Sequence, residues 1–247
     1  MSSQSIAPAL HGSDQPDPAL LRVTPLFRDL DDDLLWRIAR ISTIITAPEN
    51  TVLGRQGERV DCVYVVLSGQ VAISNEAPNG DQAVVEIVRA GGQMFLSSTL
   101  AGLPLLLTGH AIDTTRLICV DAGGLLDLIR SEPTLATAIL RAEALDFRQL
   151  VRQVCDLKLR TTAQRLGCYL LELTTDQKAL TASMRLPFDK RLLAARLGCR
   201  QENLSRAFAA LRDYGVETHG ARVILHDIAK LREYSVPDDL PDGELAF

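Results

Sequence analysis

The 247-residue sequence predicts an α+β protein, in which an antiparallel β-domain is followed by one long helix and then by a mainly helical domain with a hairpin. From about residue 43 to 122, short runs rich in β-branched residues alternate with turn residues, which is typical of an antiparallel barrel or sandwich. No Gly or Pro interrupts the helical pattern after Pro133 until about Leu159. The predicted segments are a mobile tail, the β-domain, the long helix, the helical domain and an acidic tail, with bounds 1–21, 22–130, 131–159, 160–235 and 236–247.

The composition excludes several classes of protein. Apolar residues make up 47% of the chain, so we expect a hydrophobic core and no global disorder. No run of about 18 uncharged apolar residues occurs, which predicts no membrane span. The N-terminus lacks the basic start and apolar core of a secretory signal, which predicts a cytoplasmic protein. No P-loop, GxSxG, HExxH or paired-carboxylate motif occurs, so we expect no enzyme.

The cysteines form neither a metal-binding pattern nor a disulfide framework. Their number is odd and no two lie closer than 13 positions, which excludes a CxxC knuckle. We expect reduced and mostly buried thiols, with thiol sensing as the alternative. The five residues are Cys62, Cys119, Cys155, Cys168 and Cys199.

The β-domain is expected to follow a short helix. Leu34, Leu35, Ile38 and Ile41 fit one helical face, and aspartates lie near the positive N-terminal end of that helix. The runs that we predict as strands are 51–53, 62–67, 70–74, 83–88 and 117–120.

The long helix carries two apolar stripes. The first recurs at steps of 4, 3, 4 and 3 residues, which indicates a coiled-coil seam; its members are Leu140, Ala144, Phe147, Val151 and Val154. The second consists of Leu135, Ile139, Ala142 and Leu145. One side can therefore pack on the chain's own β-domain and the other on a partner helix, which predicts a homodimer. A single buried helix in a large core is the alternative, but a length of about 40 Å favours an interface.

A helix-turn-helix is predicted in the C-terminal domain. Asp189 can cap a first helix, which Gly198 ends because the tight turn needs a positive φ. A second helix buries Leu204, Phe208 and Leu211, and it presents an outward polar face. The residues of that face are Arg200, Gln201, Glu202, Ser205 and Arg206. Residues 174–183 are expected to form a loop, and residues 216–225 a hairpin or wing on which His219 and Arg222 either contact phosphate or are solvated.

The charge distribution supports a polyanion-binding surface in the same region. Residues 185–212 contain seven basic and two acidic side chains, a balance of +5 within a protein of net charge −5. Nucleic-acid binding depends on the charge of the local surface, so this basic patch can bind nucleic acid although the protein as a whole has a negative net charge.

The pattern LA-x-x-LG-x-x-x-E-x-x-SR-x-x-x-x-L at 193–211, followed by a wing, resembles the Crp/Fnr superfamily of regulators. Gly57-Glu58, Tyr64-Val65-Val66 and Ser68-Gly69-Gln70-Val71 resemble its cyclic-nucleotide-binding-type β-roll. The resemblance covers about residues 25–232. It implies a β-roll sensor domain, a long dimerisation helix and a C-terminal winged helix-turn-helix that binds double-stranded DNA, with RNA polymerase as a further partner.

In the superfamily, the second helix enters the major groove. The matching base-reading positions are Glu202, Ser205 and Arg206, and the expected phosphate contacts are Lys190, Arg191, Arg200, Gln201 and Arg222. For Glu202 and Arg206, the alternative is an intrahelical ion pair. The Glu-x-x-Ser-Arg arrangement is similar to that of the Fnr and Dnr branches, whose half-site is TTGAT. The resemblance thus implies inverted TTGAT-like repeats about one helical turn apart.

The sensor half leaves two alternatives. Nucleotide-binding members carry an Arg-Ser pair where this chain has Leu105 and Leu106, so we do not expect a cyclic nucleotide or a cyclic-nucleotide-binding module. The absence of Cys from residues 1–61 predicts no iron–sulfur cluster. The apolar segment resembles the nitric-oxide-responsive Dnr and NnrR groups, which implies a haem pocket with His110 as a candidate iron ligand or as a structural histidine. The expected pocket residues are Phe95, Leu96, Leu105, Leu106, His110 and Phe147. The other alternative is an effector-independent or thiol-regulated protein.

Overall fold

In a computed structural model, the chain forms two compact units, Met1–Asp146 and Phe147–Phe247. The boundary between them falls inside the long helix, so the predicted segment 131–159 is shared by both units. No helix in the described ranges is both long and apolar enough to cross a membrane. The structure describes residues 14–76, 82–174, 179–187 and 189–237. For Gln82 it describes the backbone alone.

The first described residues are ordered, which corrects part of the predicted mobile tail. The backbone N–H of Ile44 donates to the carbonyl of Asp14 (2.9 Å). A short helix, α1 (Pro18–Leu21), follows the capping residue Asp17 and buries Leu21 completely. The prediction is therefore wrong for residues 14–21, because tertiary contacts order a segment that has no periodic pattern. Residues 1–13 of the predicted tail lie outside the described residues.

The predicted helix before the β-domain is present as α2 (Asp32–Arg40). The Asp31 side chain accepts a hydrogen bond from the backbone N–H of Leu34 (2.8 Å), which caps the helix start. The apolar face is buried, and its fully covered members include Leu34, Leu35 and Ile38.

Two four-stranded sheets confirm the predicted antiparallel β-domain. Their elements, with a short helix among them, are β1 (Ser42–Ala47), β2 (Val52–Gly54), β3 (Cys62–Ser68), β4 (Val71–Glu76), β5 (Gln82–Val88), β6 (Gln93–Met94), α3 (Leu96–Ala101), β7 (Thr108–Ala111) and β8 (Thr115–Asp121). One sheet has the strand order β1-β8-β3-β6 and the other β2-β7-β4-β5. We call these two sheets together the β-roll.

The two faces of β3 pack in different apolar clusters, because successive side chains of a strand point in opposite directions. Val63 packs with helical residues such as Leu35. Tyr64 packs in a cluster to which both sheets contribute, for instance through Val71 and Leu117. We call this second cluster the roll interior.

Two helices follow the β-roll, α4 (Ala122–Ser131) and α5 (Pro133–Leu159). The 27-residue α5 confirms the predicted long helix. Leu135 and Ile139, from the second predicted stripe, are buried in the cluster on the helical side of β3. The predicted seam is exposed in the single chain: Leu140 is 70% exposed, Phe147 67%, Val151 45% and Val154 49%. The two stripes thus have different environments.

The second unit combines helices with a three-stranded antiparallel sheet of order β10-β11-β9. Its elements after α5 are α6 (Thr162–Glu172), β9 (Ala182–Arg185), α7 (Lys190–Arg196), α8 (Gln201–Leu211), β10 (Val216–His219), β11 (Arg222–Leu225) and α9 (Ile228–Ser235). The loop predicted for 174–183 is wrong at its end, because β9 begins at Ala182 and pairs with β11. Of the predicted acidic tail, residues 238–247 lie outside the described residues.

Candidate nucleic-acid interface

The helix-turn-helix is held by a cap at its start and a glycine at its turn. The Asp189 side chain accepts a hydrogen bond from the backbone N–H of Leu192 (2.8 Å) and caps α7. Gly198 has φ +61°, and a Cβ there would lie 2.8 Å from the Leu157 side chain. The positive φ therefore favours glycine at the turn, and a Cβ would in addition require the exposed Leu157 side chain to shift.

Arg165 of α6 connects the turn to the end of the long helix. Its Nε donates to the carbonyl of Leu197 (3.0 Å), and its Nη1 donates to the carbonyl of Arg160 (2.8 Å). A cation at the C-terminal end of α7 also interacts favourably with the helix dipole. One half-buried side chain thereby fixes α7 relative to the start of α6.

The three predicted base-reading residues lie together on the exposed face of α8. Leu204, Phe208 and Leu211 are buried on the opposite face, between 0% and 7% exposed. Glu202, Ser205 and Arg206 are all exposed, at positions i, i+3 and i+4 of one helix. Within the described part of the chain, Glu202 and Arg206 form no ion pair with each other or with another side chain. The alternative of an intrahelical ion pair is therefore not realised here.

The Ser205 hydroxyl is oriented by the helix itself. Its Oγ donates to the backbone carbonyl of Gln201 (3.1 Å). This bond holds the side chain close to the helix, and its exposed part is small and partly apolar. Glu202 and Arg206 therefore project further from α8 than Ser205 does.

The predicted phosphate contacts lie at the N-terminal ends of the two helices. Lys190 and Arg191 open α7 and are exposed, and Arg200 and Gln201 are exposed at the start of α8. The Lys190 Nζ lies 5.9 Å from the centroid of the Phe208 ring. Since helix N-termini also carry a partial positive charge, this surface suits an anionic partner.

A row of three basic or titratable side chains crosses the wing. Arg222 of β11 lies directly opposite His219 of β10 and Arg185 of β9, so all three share the outward face of the sheet. The Arg222 Nε donates to Ser183 Oγ (3.0 Å). The row lines an open surface cleft together with Ser183 and neighbouring residues. Like charges directly opposite one another destabilise a sheet, so the row favours a bound anion.

Arg185 is a further candidate site residue, and its role becomes visible only in the structure. It counted toward the basic balance of residues 185–212, but the stretch before it was expected to be a loop and gave it no strand partner. The alternation of apolar and polar residues from Ala182 to Arg185 is the sequence signal for this strand, and in the structure these residues are alternately half-buried and exposed.

Two histidines flank a carboxylate on the same wing. The Nε2 of His219 lies 2.8 Å from one carboxylate oxygen of Glu217, and the Nε2 of His226 lies 2.7 Å from the other. The two hydrogen bonds hold the pKa of Glu217 below its usual value, and the bond with His226 has the larger effect. Of the predicted wing contacts, His219 therefore already has a carboxylate partner, whereas the Arg222 guanidinium bonds to a neutral hydroxyl.

The roll interior is filled by apolar side chains at the place expected for an effector. A Cβ on Gly54 would lie 2.6 Å from Leu105 and 3.1 Å from Phe95, and a Cβ on Gly109 would lie 2.7 Å from Phe95. Leu105 is 3% exposed. Its backbone N–H donates to the Glu58 carbonyl, and its carbonyl accepts from the Gly57 N–H, each at 2.8 Å. The backbone therefore fixes the buried Leu105 side chain beside Gly54.

The structure does not assemble the predicted effector pocket as one group. Of its members in the first unit, Phe95 and Leu105 lie together, but Leu96 packs in the cluster on the helical side of β3 and Leu106 is 80% exposed. Phe147, in the second unit, is 67% exposed.

His110 does not face Phe95. Gly109 points toward Phe95, so the next residue along β7, His110, points to the other face of that sheet. His110 is half-buried, and burial lowers its pKa. Among the described residues, no group of three or more His, Cys, Asp or Glu side chains is arranged to hold a metal ion.

Comparisons with known proteins assign a domain family to each half of the chain. Residues 44–132 match the cyclic nucleotide-binding domain family, and residues 164–234 match the Crp-like helix-turn-helix domain family. The chain is 28% identical to the nitrogen fixation regulation protein FixK of Azorhizobium caulinodans, over 79% of this chain and 80% of that protein. It is 22% identical to the CRP-like cAMP-activated global transcriptional regulator of Mycobacterium tuberculosis, over 83% of this chain and 94% of that protein.

A solved structure shares the fold. FixK2 of Bradyrhizobium japonicum superposes with a TM-score of 0.67 at 22% identity, and the match covers 78% of this chain and 96% of that one. Regulators of this type are DNA-binding transcription factors and not enzymes. Because the two domain families together cover more than half of the sequence, and regulators of this type match about four fifths of its length, the chain belongs to the Crp/Fnr family of transcription regulators.

Proposed function

We propose that the chain acts as a homodimer that reads TTGAT-like inverted repeats with the exposed face of α8. The observation that carries this proposal is the group Glu202, Ser205 and Arg206, which project together from a helix whose other face is buried. An α-helix fits the major groove of B-DNA, where each base pair presents a distinct pattern of hydrogen-bonding groups. Two copies of the helix would read two half-sites about 34–36 Å apart.

The three side chains suit the bases of this half-site. The Arg206 guanidinium can donate two hydrogen bonds to the O6 and N7 of guanine. The Glu202 carboxylate can accept from the exocyclic amine of cytosine. Ser205 is small enough to approach a thymine methyl group. Since neither Arg206 nor Glu202 has an ionic partner among the described residues, both are available to DNA.

Contacts to phosphate would fix the register of α8 on the duplex. Lys190, Arg191, Arg200 and Gln201 lie beside the reading face, and Arg222 extends the surface along the wing. To these the cross-strand row adds Arg185. Contacts of this kind position the protein and carry no sequence information.

The exposed stripe of α5 supports the homodimer. Its apolar seam residues have no cover in the single chain, and Leu150 and Leu157 on the same helix are also about half exposed, at 47% and 53%. Removal of such side chains from water stabilises association by about 25 cal/mol per Å² of apolar surface, before the entropic costs of binding.

The proposal is tested by fluorescence anisotropy with labelled duplexes across a series of salt concentrations. We expect an inverted TTGAT repeat to bind at least about 1,000-fold more tightly than a scrambled duplex of the same composition. Affinity for both duplexes should fall as salt rises, because phosphate contacts release counterions. Equal affinity for the two duplexes at every salt concentration would contradict the proposed reading face.

For the sensor half, the packing of Leu105 and Phe95 favours the effector-independent alternative. A ligand in the roll interior would have to displace both side chains, and the resemblance gives this chain Leu where nucleotide-binding members have Arg. In a haem pocket lined by Phe95, as expected for a nitric oxide sensor of the Dnr or NnrR type, His110 would not reach the iron, because it faces away from Phe95. Titration with haem tests this directly: we expect no stoichiometric Soret shift, whereas a shift lost in His110→Ala would restore the haem hypothesis.

A further inference from the structure

Two of the five cysteines are neighbours inside the β-roll. Cys62 is the first residue of β3, and Cys119 lies on the adjacent antiparallel strand β8. The register pairs Cys62 with Asp121 and Tyr64 with Cys119, so the two cysteines are diagonal neighbours on one face. Both contact the roll interior, both are partly exposed and both are free thiols.

The two thiols have different acidities. A hydrogen bond with the Cys119 side chain is the largest influence on the pKa of Cys62 and lowers it, and a hydrogen bond with Tyr64 lowers it further. The hydrogen bond with Cys62, followed by burial, raises the pKa of Cys119. The thiolate of the pair therefore forms on Cys62, and the thiolate is the nucleophilic form of cysteine.

We propose that Cys62 and Cys119 form an oxidisable pair, which a hydroperoxide converts into a disulfide between β3 and β8. This inference is independent of the proposed DNA-reading function, and its test contains no DNA. Because both cysteines are partly exposed, a small peroxide can reach the pair. Because they are diagonal neighbours, Cys119 lies near the oxidised sulfur of Cys62 and can react with it.

The reaction balances with hydrogen peroxide as the oxidant. The Cys62 thiol loses its proton to solvent, and its sulfur attacks one peroxide oxygen; an S–O bond forms, the O–O bond breaks, and the departing hydroxide takes a proton to become water. Cys62 is then a sulfenic acid. The Cys119 sulfur attacks the Cys62 sulfur, the S–S bond forms, the S–O bond breaks, and the thiol proton leaves with the hydroxide as a second water. Two thiols and one peroxide give one disulfide and two waters.

Disulfide formation would act on the start of α4. Diagonal neighbours in a sheet lie about 7–8 Å apart at Cα, which is longer than most disulfides span, so the bond would draw the strand ends together. At those ends, the Asp121 side chain accepts from the Gly124 N–H (2.7 Å) and caps α4, and the Ala122 N–H donates to the Asp61 carbonyl (2.9 Å). Amide hydrogen exchange at the first turn of α4 should therefore change on oxidation.

The other cysteines provide controls. Cys155 is exposed on α5 and belongs to no such pair among the described residues. Burial raises the pKa of Cys168 to about 11, which makes it a poor nucleophile. On oxidation of the chain, Cys62 and Cys119 should therefore form an intrachain disulfide, whereas Cys155 and Cys168 should not.

The test is titration of the reduced full chain with hydrogen peroxide, followed by alkylation and peptide mass spectrometry. We expect a linked peptide pair that contains Cys62 and Cys119, lighter by two hydrogen atoms and restored by dithiothreitol. Cys119→Ser should stop at a Cys62 sulfenic acid that dimedone traps. In Cys62→Ser, the remaining Cys119 thiol should be oxidised at least about tenfold more slowly than the pair is in the unmodified chain, since it is the less acidic thiol.

Cys155→Ser serves as the matched control and should still form the linked peptide. The measurement on the unmodified chain does not depend on the folding of any variant. The proposal is overturned if Cys62 and Cys119 remain open to alkylation while Cys155 is oxidised or links two chains. It is equally overturned if Cys119→Ser accumulates no sulfenic acid at Cys62.

Discussion

At the scale of single residues, Leu105 determines what space remains inside the β-roll. Its side chain meets the surfaces of Gly54 and Phe95, and its backbone is bonded on both sides to the turn at Gly57 and Glu58. The residue is thus a buried structural part of the β-roll, next to the strand that carries Gly54. Its neighbour Leu106 is 80% exposed and has no such role.

We predict that Leu105→Ala lowers the free energy of unfolding by about 2–5 kcal/mol, because it removes a buried side chain and leaves a cavity. Leu106→Ala, the matched control, should change it by less than about 0.5 kcal/mol. Urea unfolding followed by circular dichroism measures both. Equal effects of the two substitutions would show that Leu105 does not contribute to stability through its burial.

Gly198 is a second residue where geometry dictates the amino acid. We predict that Gly198→Ala destabilises the second unit by about 1–3 kcal/mol, mainly through backbone strain, because the exposed Leu157 side chain can move away from the new Cβ. Gly220→Ala is the control, since Gly220 also has a positive φ but has nothing within 4 Å of a Cβ. The difference between their unfolding midpoints isolates the contact with Leu157; no difference would mean that the contact is relieved at no cost.

At the scale of elements, α5 has one buried and one exposed apolar stripe. Leu135 and Ile139 anchor its first part to the β-roll cluster, while the seam that includes Phe147 has no cover within the chain. A helix with this distribution is expected to pack against a second copy of itself.

We predict that Phe147→Asp weakens dimerisation and operator binding together, because it places a charge in the centre of the seam. Gln149→Asp introduces the same charge on an exposed position outside the seam and should preserve both. Sedimentation velocity gives the oligomeric state, and anisotropy gives the affinity for an inverted repeat. A monomeric Phe147→Asp protein that still binds the full repeat tightly would contradict the dimer proposal.

The three-stranded sheet β10-β11-β9 also has one buried apolar face and one exposed basic face. Val216, Val223 and Leu225 are buried, and the row that contains Arg185 and Arg222 faces outward. Two like charges directly opposite each other on a sheet are unfavourable, so we expect an anionic partner to stabilise this row.

We predict that Arg185→Ala weakens binding to every duplex by a similar factor and reduces the slope of log affinity against log salt by about 1. The free energy of unfolding should stay constant or rise by a few tenths of a kcal/mol, since one like-charge pair is removed. Anisotropy on specific and scrambled duplexes measures the first effect. Loss of affinity for the inverted repeat alone would instead assign Arg185 to base reading.

At the scale of the whole molecule, periodicity predicted what depends on local pattern. The seam and buried stripes of α5, and the buried and polar faces of α8, follow from residue spacing alone. What depends on tertiary contacts was not predictable in this way. Leu21 is buried by other elements and has no pattern of its own, and β9 exists because β11 pairs with it.

The sensor site illustrates the same limit. The apolar character of residues 95–107 was visible in the sequence, but the side to which each residue points was not. Leu96, Leu105 and Leu106 lie in three different environments, because α3 and the following loop turn the chain between them. The exposed group at Glu202, Ser205 and Arg206 was predictable, since all three lie on one regular helix.

A double-mutant cycle shows whether Arg206 reads the guanine of the half-site. The affinities of the unmodified chain and of Arg206→Ala are measured for TTGAT repeats and for repeats in which A·T replaces the G·C pair. We predict a coupling of about 1–3 kcal/mol, because the base change should cost nothing once the guanidinium is removed. Additive effects of the two changes, with no coupling, would contradict the assignment of α8 as the base-reading helix.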